Sequence, residues 1–196
     1  MPRTYNGSNQ QITSVTSGTG YTLKGYDQTD AGTHTITATL ASGYRWSDNT
    51  TGTKTFKCSI SKATPTITLS APNGSVVKGK TLTFTEKANV AGKFTNASGT
   101  TSVATVSPKS NSTAVAANTA QTVTVTGVKD GSSTITVNFV PTDTKNYNNA
   151  VAKTYTATIL NSATIPTDSL CVSRTYNGNK QNITSVTSGT GYTLKA

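Results

Sequence analysis

Hydrophobic and polar residues alternate along most of the chain, in short runs separated by glycine, asparagine, aspartate and proline. Within residues 33–40, Ile36, Ala38 and Leu40 share one face with His34, and threonines fill the other face. A period of two indicates a half-buried β-strand. The same reasoning predicts strands over residues 11–15, 21–26, 33–41, 54–60, 66–69, 81–85, 102–106, 121–125, 133–139 and 153–159.

Turn signals separate these runs at intervals typical of antiparallel β-sandwiches. Asn73-Gly74 and Asp130-Gly131 are two of the predicted turns. The chain lacks a sustained helical period, and no stretch approaches the roughly 18 apolar residues that indicate a membrane-spanning helix. Threonine, a good strand former, supplies 43 of the 196 residues. The pattern therefore predicts an all-β protein with almost no helix and no membrane span.

An internal repeat sets the domain organisation. Residues 3–25 and 174–196 match at 19 of 23 positions, with an offset of 171 residues. Such a repeat is the signature of an array of similar domains. We expect a first domain over 1–63, a second over 64–160, a linker over 161–173, and then the opening strands of a repeated first-type domain.

Several motifs carry a family resemblance. They are TYNGSNQQI, GYTLKG and DAGTHTITATLASGYRWSDNTTGTKTFKCSISKATP in the first domain, with VKGKTLTF and DGSSTITVNFVPTDTKNYNNAVAKTYTATI in the second. The first set resembles the bacterial Ig-like repeats of large secreted and surface proteins, and the second resembles another bacterial Ig-like (BIG) type. The resemblance implies tandem immunoglobulin-like β-sandwiches, extracellular display on a bacterial cell surface, and no shared catalytic residue. Such domains also occur on phage virions, which is the alternative location.

The charge is +10, but the basic residues are spread singly along the chain. Nucleic-acid binding normally requires a clustered basic face or a readable motif, so no nucleic-acid partner is predicted. Dispersed lysines indicate solvated outer strand faces. They also leave open a weak attraction to anionic surface polysaccharide.

Cys58 and Cys171 are the two cysteines, too few for a disulfide scaffold or a four-ligand zinc site. Subtracting the repeat offset from Cys171 gives position 0, immediately before Met1. In a longer array a cysteine would precede each RTYNG motif and lie near the closing strand that holds Cys58. We therefore hypothesise that a longer array forms this disulfide within each domain, in an oxidising environment, and that Cys171 would pair with the Cys58 of another repeat unit or chain.

Candidate chemistry is otherwise sparse. His34 falls on an apolar strand face, which favours a buried, non-catalytic histidine. Asp27, Asp30 and Asp48 are interpreted as turn-capping residues, although a calcium site built from them is an alternative. No catalytic, cofactor-binding or metal-binding residue is predicted.

Tyr44 and Trp46 lie in one loop. They are the candidates for glycan contact, but the resemblance implies that this loop packs back on the sandwich.

The sequence predicts a non-enzymatic spacer module of a repetitive bacterial surface protein or adhesin. Its expected partners are neighbouring Ig-like repeats, and the repeated terminal segment suggests head-to-tail self-association by strand exchange. The alternatives are a module that binds glycan or cell-wall polymer, and a decoration domain of a phage virion.

Overall fold

A computed structural model describes residues 3–163, 172–181 and 183, together with two short strands near the C-terminus. All regular elements in these ranges are β-strands, which confirms the predicted all-β fold. Across the same ranges no helix is long and apolar enough to cross a membrane. The strands are β1 (Arg3–Thr4), β2 (Gln10–Gln11), β3 (Tyr21–Lys24), β4 (Asp27–Gln28), β5 (Gly32–Leu40), β6 (Lys54–Ser61), β7 (Ile67–Leu69), β8 (Asn73–Val77), β9 (Thr81–Ala88), β10 (Gly92–Ser98), β11 (Ala104–Ser107), β12 (Gln121–Gly127), β13 (Gly131–Pro141), β14 (Lys153–Leu160), β15 (Ser188–Gly189) and β16 (Tyr192–Thr193).

Strands β1 to β6 form what we call the first unit. Its main sheet has the order β1-β6-β5-β3, in which β1 runs parallel to β6 and the other neighbours are antiparallel. Strands β2 and β4 form a separate two-stranded ladder. The alternation predicted for β5 is confirmed, since Ile36 and Ala38 are each only 2% exposed. The buried core consists of Ile12, Leu23, Ala31, Ile36, Ala38 and Ile60.

Strands β7 to β14 form the second unit, a sandwich of two four-stranded sheets. The sheets have the orders β10-β13-β14-β8 and β11-β12-β9-β7. All pairings are antiparallel except that of β8 with β14. Phe84 stacks on Tyr155 at 4.2 Å between ring centroids, and Phe94 packs on Phe139 at 4.7 Å. The first pair joins the two facing sheets, the second joins neighbouring strands of one sheet, and both fill the interior between the sheets. The domain boundaries at 63 and 160 remain predictions.

The predicted turn at Asn73-Gly74 is wrong, because both residues belong to strand β8. Gly74 is explained by close packing. A Cβ built on it would collide with the buried Tyr155 hydroxyl, so a residue without a side chain fits best there. Strand β10 also lacked a prediction, because its alternation is interrupted by the buried polar residue Asn96, which is 4% exposed.

Candidate functional site: the junction between the two units

A short connection joins the two units and is itself hydrogen-bonded to the second. Strand β6 ends at Ser61 and β7 begins at Ile67. Between them, the Ala63 amide donates to the Asn146 carbonyl at 3.0 Å, and the Ala63 carbonyl accepts from the Asn148 amide at 2.8 Å. The connection is therefore fixed to the loop before β14 and does not behave as a free linker.

Asn146 is the centre of the junction, since its side chain links both units. Its Oδ1 accepts a hydrogen bond from the Ala31 amide of the first unit at 2.7 Å. Its Nδ2 donates to Asp30 Oδ1 at 3.2 Å and to Asp143 Oδ2 at 2.9 Å. Asn146 is 5% exposed, so each of these polar groups would be costly to leave without a partner. One amide side chain thus fixes one unit against the other.

Two lysines add charged contacts at the edge of the junction. Lys145 Nζ forms an ion pair with Asp30 Oδ2 at 2.5 Å, and Lys62 Nζ donates to the Thr144 carbonyl at 2.6 Å. The hydrogen bond from Lys145 lowers the pKa of Asp30, and that from Asn146 lowers it further. Lys145 remains 65% exposed, so water and salt screen this pair and its contribution to stability is small.

An aromatic contact completes the junction. Tyr5 follows β1, and its amide donates to the Ser61 carbonyl at 2.9 Å. Its ring meets that of Tyr147 edge to face, with centroids 5.2 Å apart and planes at 85°. This is a favourable geometry for two aromatic quadrupoles. The contacts of the junction hold the first and second units against each other.

His34 and the three candidate aspartates, Asp27, Asp30 and Asp48, do not form a metal-binding group in the described part of the chain. His34 is half-buried, less than predicted, and its Nε2 donates to the Asp30 carbonyl at 2.8 Å. Asp48 pairs with Lys54 at 2.6 Å and accepts from Thr50, and the Lys54 contact is the larger cause of its lowered pKa. Among the described residues, no three His, Cys, Asp or Glu side chains are grouped to hold a metal ion.

Tyr44 and Trp46 are separated by their packing. Trp46 is half-buried, its Nε1 donates to the Gly52 carbonyl at 2.6 Å, and its ring tilts by 48° against Tyr21. Tyr44 is 49% exposed and covers Gly20. The loop packs back on the sandwich, as the family resemblance implied. Glycan contact through this pair remains a prediction.

Cys58 is a free thiol, half-buried on β6. It lines a shallow apolar pocket together with Leu23, Ile36 and Phe56, and Phe56 is 52% exposed. Cys171 lies outside the described residues, so the hypothesised disulfide remains a prediction.

The terminal copy, residues 174–196, repeats the local structure of residues 3–25 in its described part. Asn6 Oδ1 accepts from the Ser8 amide at 3.0 Å, and the equivalent bond in the terminal copy, from the Asn179 amide to Asn177 Oδ1, is 3.1 Å long. The intervening glycines, Gly7 and Gly178, have φ angles of 79° and 80°. This left-handed conformation favours glycine, and its recurrence shows that the turn is encoded locally.

A second shared bond joins the flanks of the turn. Gln10 Nε2 donates to the Thr4 carbonyl at 3.1 Å, and Gln181 Nε2 donates to the Thr175 carbonyl at 2.8 Å.

The burial of the two copies differs. Ile12 is 1% exposed in the first unit, whereas its equivalent Ile183 is 64% exposed. Tyr176, the equivalent of the half-buried Tyr5, is 87% exposed. The turn therefore forms from its own sequence, whereas the tyrosine and the isoleucine beside it are covered in the first unit and exposed in the terminal copy.

Sequence reasoning did not identify Asp143, Lys145 and Asn146 as junction residues. They lie in the run PTDTKNYNNA, whose polar composition is also that of an ordinary surface loop. The density of asparagine was the available signal, but nothing in the sequence shows which loop faces the first unit.

No family model matches the chain, and no curated protein matches it. Among solved structures, the chain is similar to domains 4 and 5 of the S-layer protein SbsC. The identity is 24% over 76% of this chain and 74% of that one, with a TM-score of 0.41. A longer SbsC structure, rSbsC(31-844), is 22% identical over 79% of this chain and 22% of that one, with a TM-score of 0.42.

The D00-D0 domain of intimin is 13% identical over 63% of this chain and 64% of that one, with a TM-score of 0.30. At TM-scores below 0.5, none of these likenesses carries an argument about function.

Proposed function

We propose that this chain is a non-enzymatic structural module, a spacer in which β-sandwich units follow one another in a set orientation. The observation that carries the proposal is the Asn146 side chain, which bonds the Ala31 amide and Asp30 of the first unit from within the second. A spacer must hold its units in line, and a buried, fully hydrogen-bonded contact resists bending more than a flexible linker does.

The repeat supports the same proposal. The terminal copy opens another unit of the first type, so a longer chain would alternate first-type and second-type units and reuse the same junction. The proposed location is the bacterial cell surface or, as the alternative, a phage virion. Its support is the resemblance of the sequence motifs to bacterial Ig-like repeats.

The test compares Asn146→Ala with Asn138→Ala. Asn138 is an exposed residue of the same unit, on β13 and away from the junction. Backbone ¹⁵N relaxation gives a rotational correlation time for each unit separately. We expect one shared value in the parent protein and in Asn138→Ala, and two shorter values in Asn146→Ala. Independent tumbling in the parent protein would contradict the proposal, and so would an unchanged correlation time in Asn146→Ala.

A second candidate function is head-to-tail self-association, in which the terminal copy of one molecule occupies the place of residues 3–25 in the next. It is supported by the matching turns of the two copies and by the exposure of Ile183 and Tyr176. Exchange of identical elements between molecules costs little in contacts.

The variant Ile183→Asp tests it, with Thr175→Asp, an exposed change in the same segment, as the control. Sedimentation velocity over a range of concentrations should show growing species in the parent protein and the control but not in Ile183→Asp. A parent protein that stays monomeric at high concentration would end this candidate.

A further inference from the structure

The only glutamate of the chain, Glu86, lies inside the second unit. It belongs to β9, between the buried residues Phe84 and Ala88 on the same strand face, and is 1% exposed. An ionised carboxylate in such a place needs a cation or several donors to offset its lost hydration.

Among the residues that the structure describes, the Glu86 side chain has one hydrogen-bond partner, Asn96 of β10 in the facing sheet. Asn96 Nδ2 donates to Glu86 Oε1 at 3.2 Å and to the Pro108 carbonyl at 3.2 Å. Both hydrogens of the amide nitrogen are therefore used. Among the described residues, two buried atoms of this pair have no hydrogen-bond partner, Glu86 Oε2 and Asn96 Oδ1.

Both of these atoms are acceptors of one hydrogen-bonded pair, and both lack a donor. The Pro108 carbonyl is only an acceptor, so it fixes the nitrogen of Asn96 on its side and leaves Oδ1 as an acceptor in need of a donor. A carboxylate cannot supply a donor, whereas a protonated carboxyl group can. Protonation of Glu86 satisfies both atoms, and it removes the buried charge.

We propose that Glu86 is a neutral carboxylic acid that donates from Oε2 to Asn96 Oδ1, and that loss of this proton destabilises the second unit. The acid and the amide then share two hydrogen bonds, one in each direction, which connect the two sheets. Deprotonation leaves a buried negative charge and two acceptors with no hydrogen between them.

In the described part of the chain, no charged neighbour stabilises an ionised Glu86. The flanking strands β7 and β12 carry no ionisable residue. The five lysines on or within two residues of β9, β10, β11 and β14, including Lys80 at the far end of β9, are exposed, and no described lysine or arginine forms an ion pair with Glu86. The ionisable residues around it are Lys87, Lys93, Lys109, Lys153 and Tyr155.

The direction of the pH effect follows from the burial. Burial raises the pKa of Glu86 from 4.5 to about 7, and the hydrogen bond from Asn96 offsets part of that rise. The folded state therefore holds this proton more tightly than the unfolded chain does. Its stabilising effect is complete below pH 4.5 and is lost as the pH rises towards 7, with the folding equilibrium constant falling by up to about tenfold per pH unit.

A direct test uses the fact that the chain has a single glutamate. Labelling with ¹³C-glutamate gives one side-chain carboxyl resonance, whose chemical shift reports protonation. We expect its midpoint in the folded protein well above 4.5, near pH 7. A midpoint at or below 4.5 would overturn the proposal.

The variant Glu86→Gln provides the second test, because an amide at this position imitates the protonated acid at every pH. Urea unfolding of the second unit, followed by NMR signals of its core, should show a parent protein less stable at pH 8 than at pH 5. Glu86→Gln should remove that loss. The control Asp130→Asn, an exposed acid of the same unit, should keep it. A Glu86→Gln protein less stable than the parent at pH 8 would overturn the proposal.

Discussion

The first and second units are both built from short β-strands, but they differ in how much core they contain. The second unit buries fourteen hydrophobic residues between two four-stranded sheets. The first buries six, and three of its strands, β1, β2 and β4, are two residues long. A small core supplies little stability by itself. The comparison predicts that the first unit depends on contacts from outside, above all on the bond from its Ala31 amide to Asn146.

The largest expected effect comes from changing the same residue in the two copies of the repeat. Ile12→Ala should lower the free energy of unfolding of the first unit by about 2–5 kcal/mol, because it leaves a cavity in a small core. Ile183→Ala should change it by less than about 0.5 kcal/mol, because that side chain is exposed. The fluorescence of Trp46, the single tryptophan, reports unfolding of the first unit. Equal effects of the two changes would contradict the contrast between the copies.

An intermediate effect is expected from Asn146→Ala. The buried Ala31 amide would lose its acceptor, which costs about 1–3 kcal/mol. Although Asn146 belongs to the second unit, the loss of stability should appear in the first. The unfolding transition followed by Trp46 fluorescence should occur at a lower urea concentration. The Asn138→Ala control should leave that transition in place. A transition that shifts only in the second unit would show that the units are stable independently.

The smallest effect should come from pH acting on the junction. The pKa of Asp30 is lowered in the folded state, so its contribution is present above its ordinary value of 3.8 and is lost as the pH falls through the lowered pKa. Urea unfolding of the first unit, measured from pH 5 to pH 2, should show this loss. Asp30→Asn should reduce the loss, whereas Asp27→Asn, an exposed acid outside the junction, should not. Identical pH profiles for the two variants would contradict a role for Asp30. The second unit should lose stability in a different range, as the pH rises from 4.5 towards 7, because Glu86 then loses its proton.

Strict alternation made β5 and β13 predictable, because their inward residues are apolar and their outward residues are mostly threonine. The prediction ended β9 at residue 85, where Glu86 interrupts the pattern, but the strand continues to Ala88. Strand β10 was missed at Asn96 for the same reason. The two polar residues that interrupt these patterns, Glu86 and Asn96, are hydrogen-bonded to each other across the sandwich. A pattern along one strand cannot show such a contact between strands.

The junction was not predictable for a related reason. Asn146 forms bonds with Ala31 and Asp30, which are 115 and 116 residues away along the chain. Sequence periodicity describes local structure, and it carries no information on which loop of one unit meets which turn of the other. The turn at Gly7 and Gly178, in contrast, depends on adjacent residues, and it recurs wherever the motif does.

The parallel pairing of β1 with β6, and of β8 with β14, has a mechanical consequence. When a chain is pulled from both ends, two neighbouring parallel strands near the entry and the exit of a unit slide past each other. All the hydrogen bonds between them then bear the load together and do not open one after another. Strands β1 and β6 are the first and last of the first unit, whereas in the second unit the short strand β7, paired with β9, comes before β8. The first unit has two paired positions in this ladder, Arg3 with Ile60 and Thr4 with Ser61, whereas the β8–β14 ladder has five. Under tension the first unit should therefore yield first and lengthen, while the second still holds.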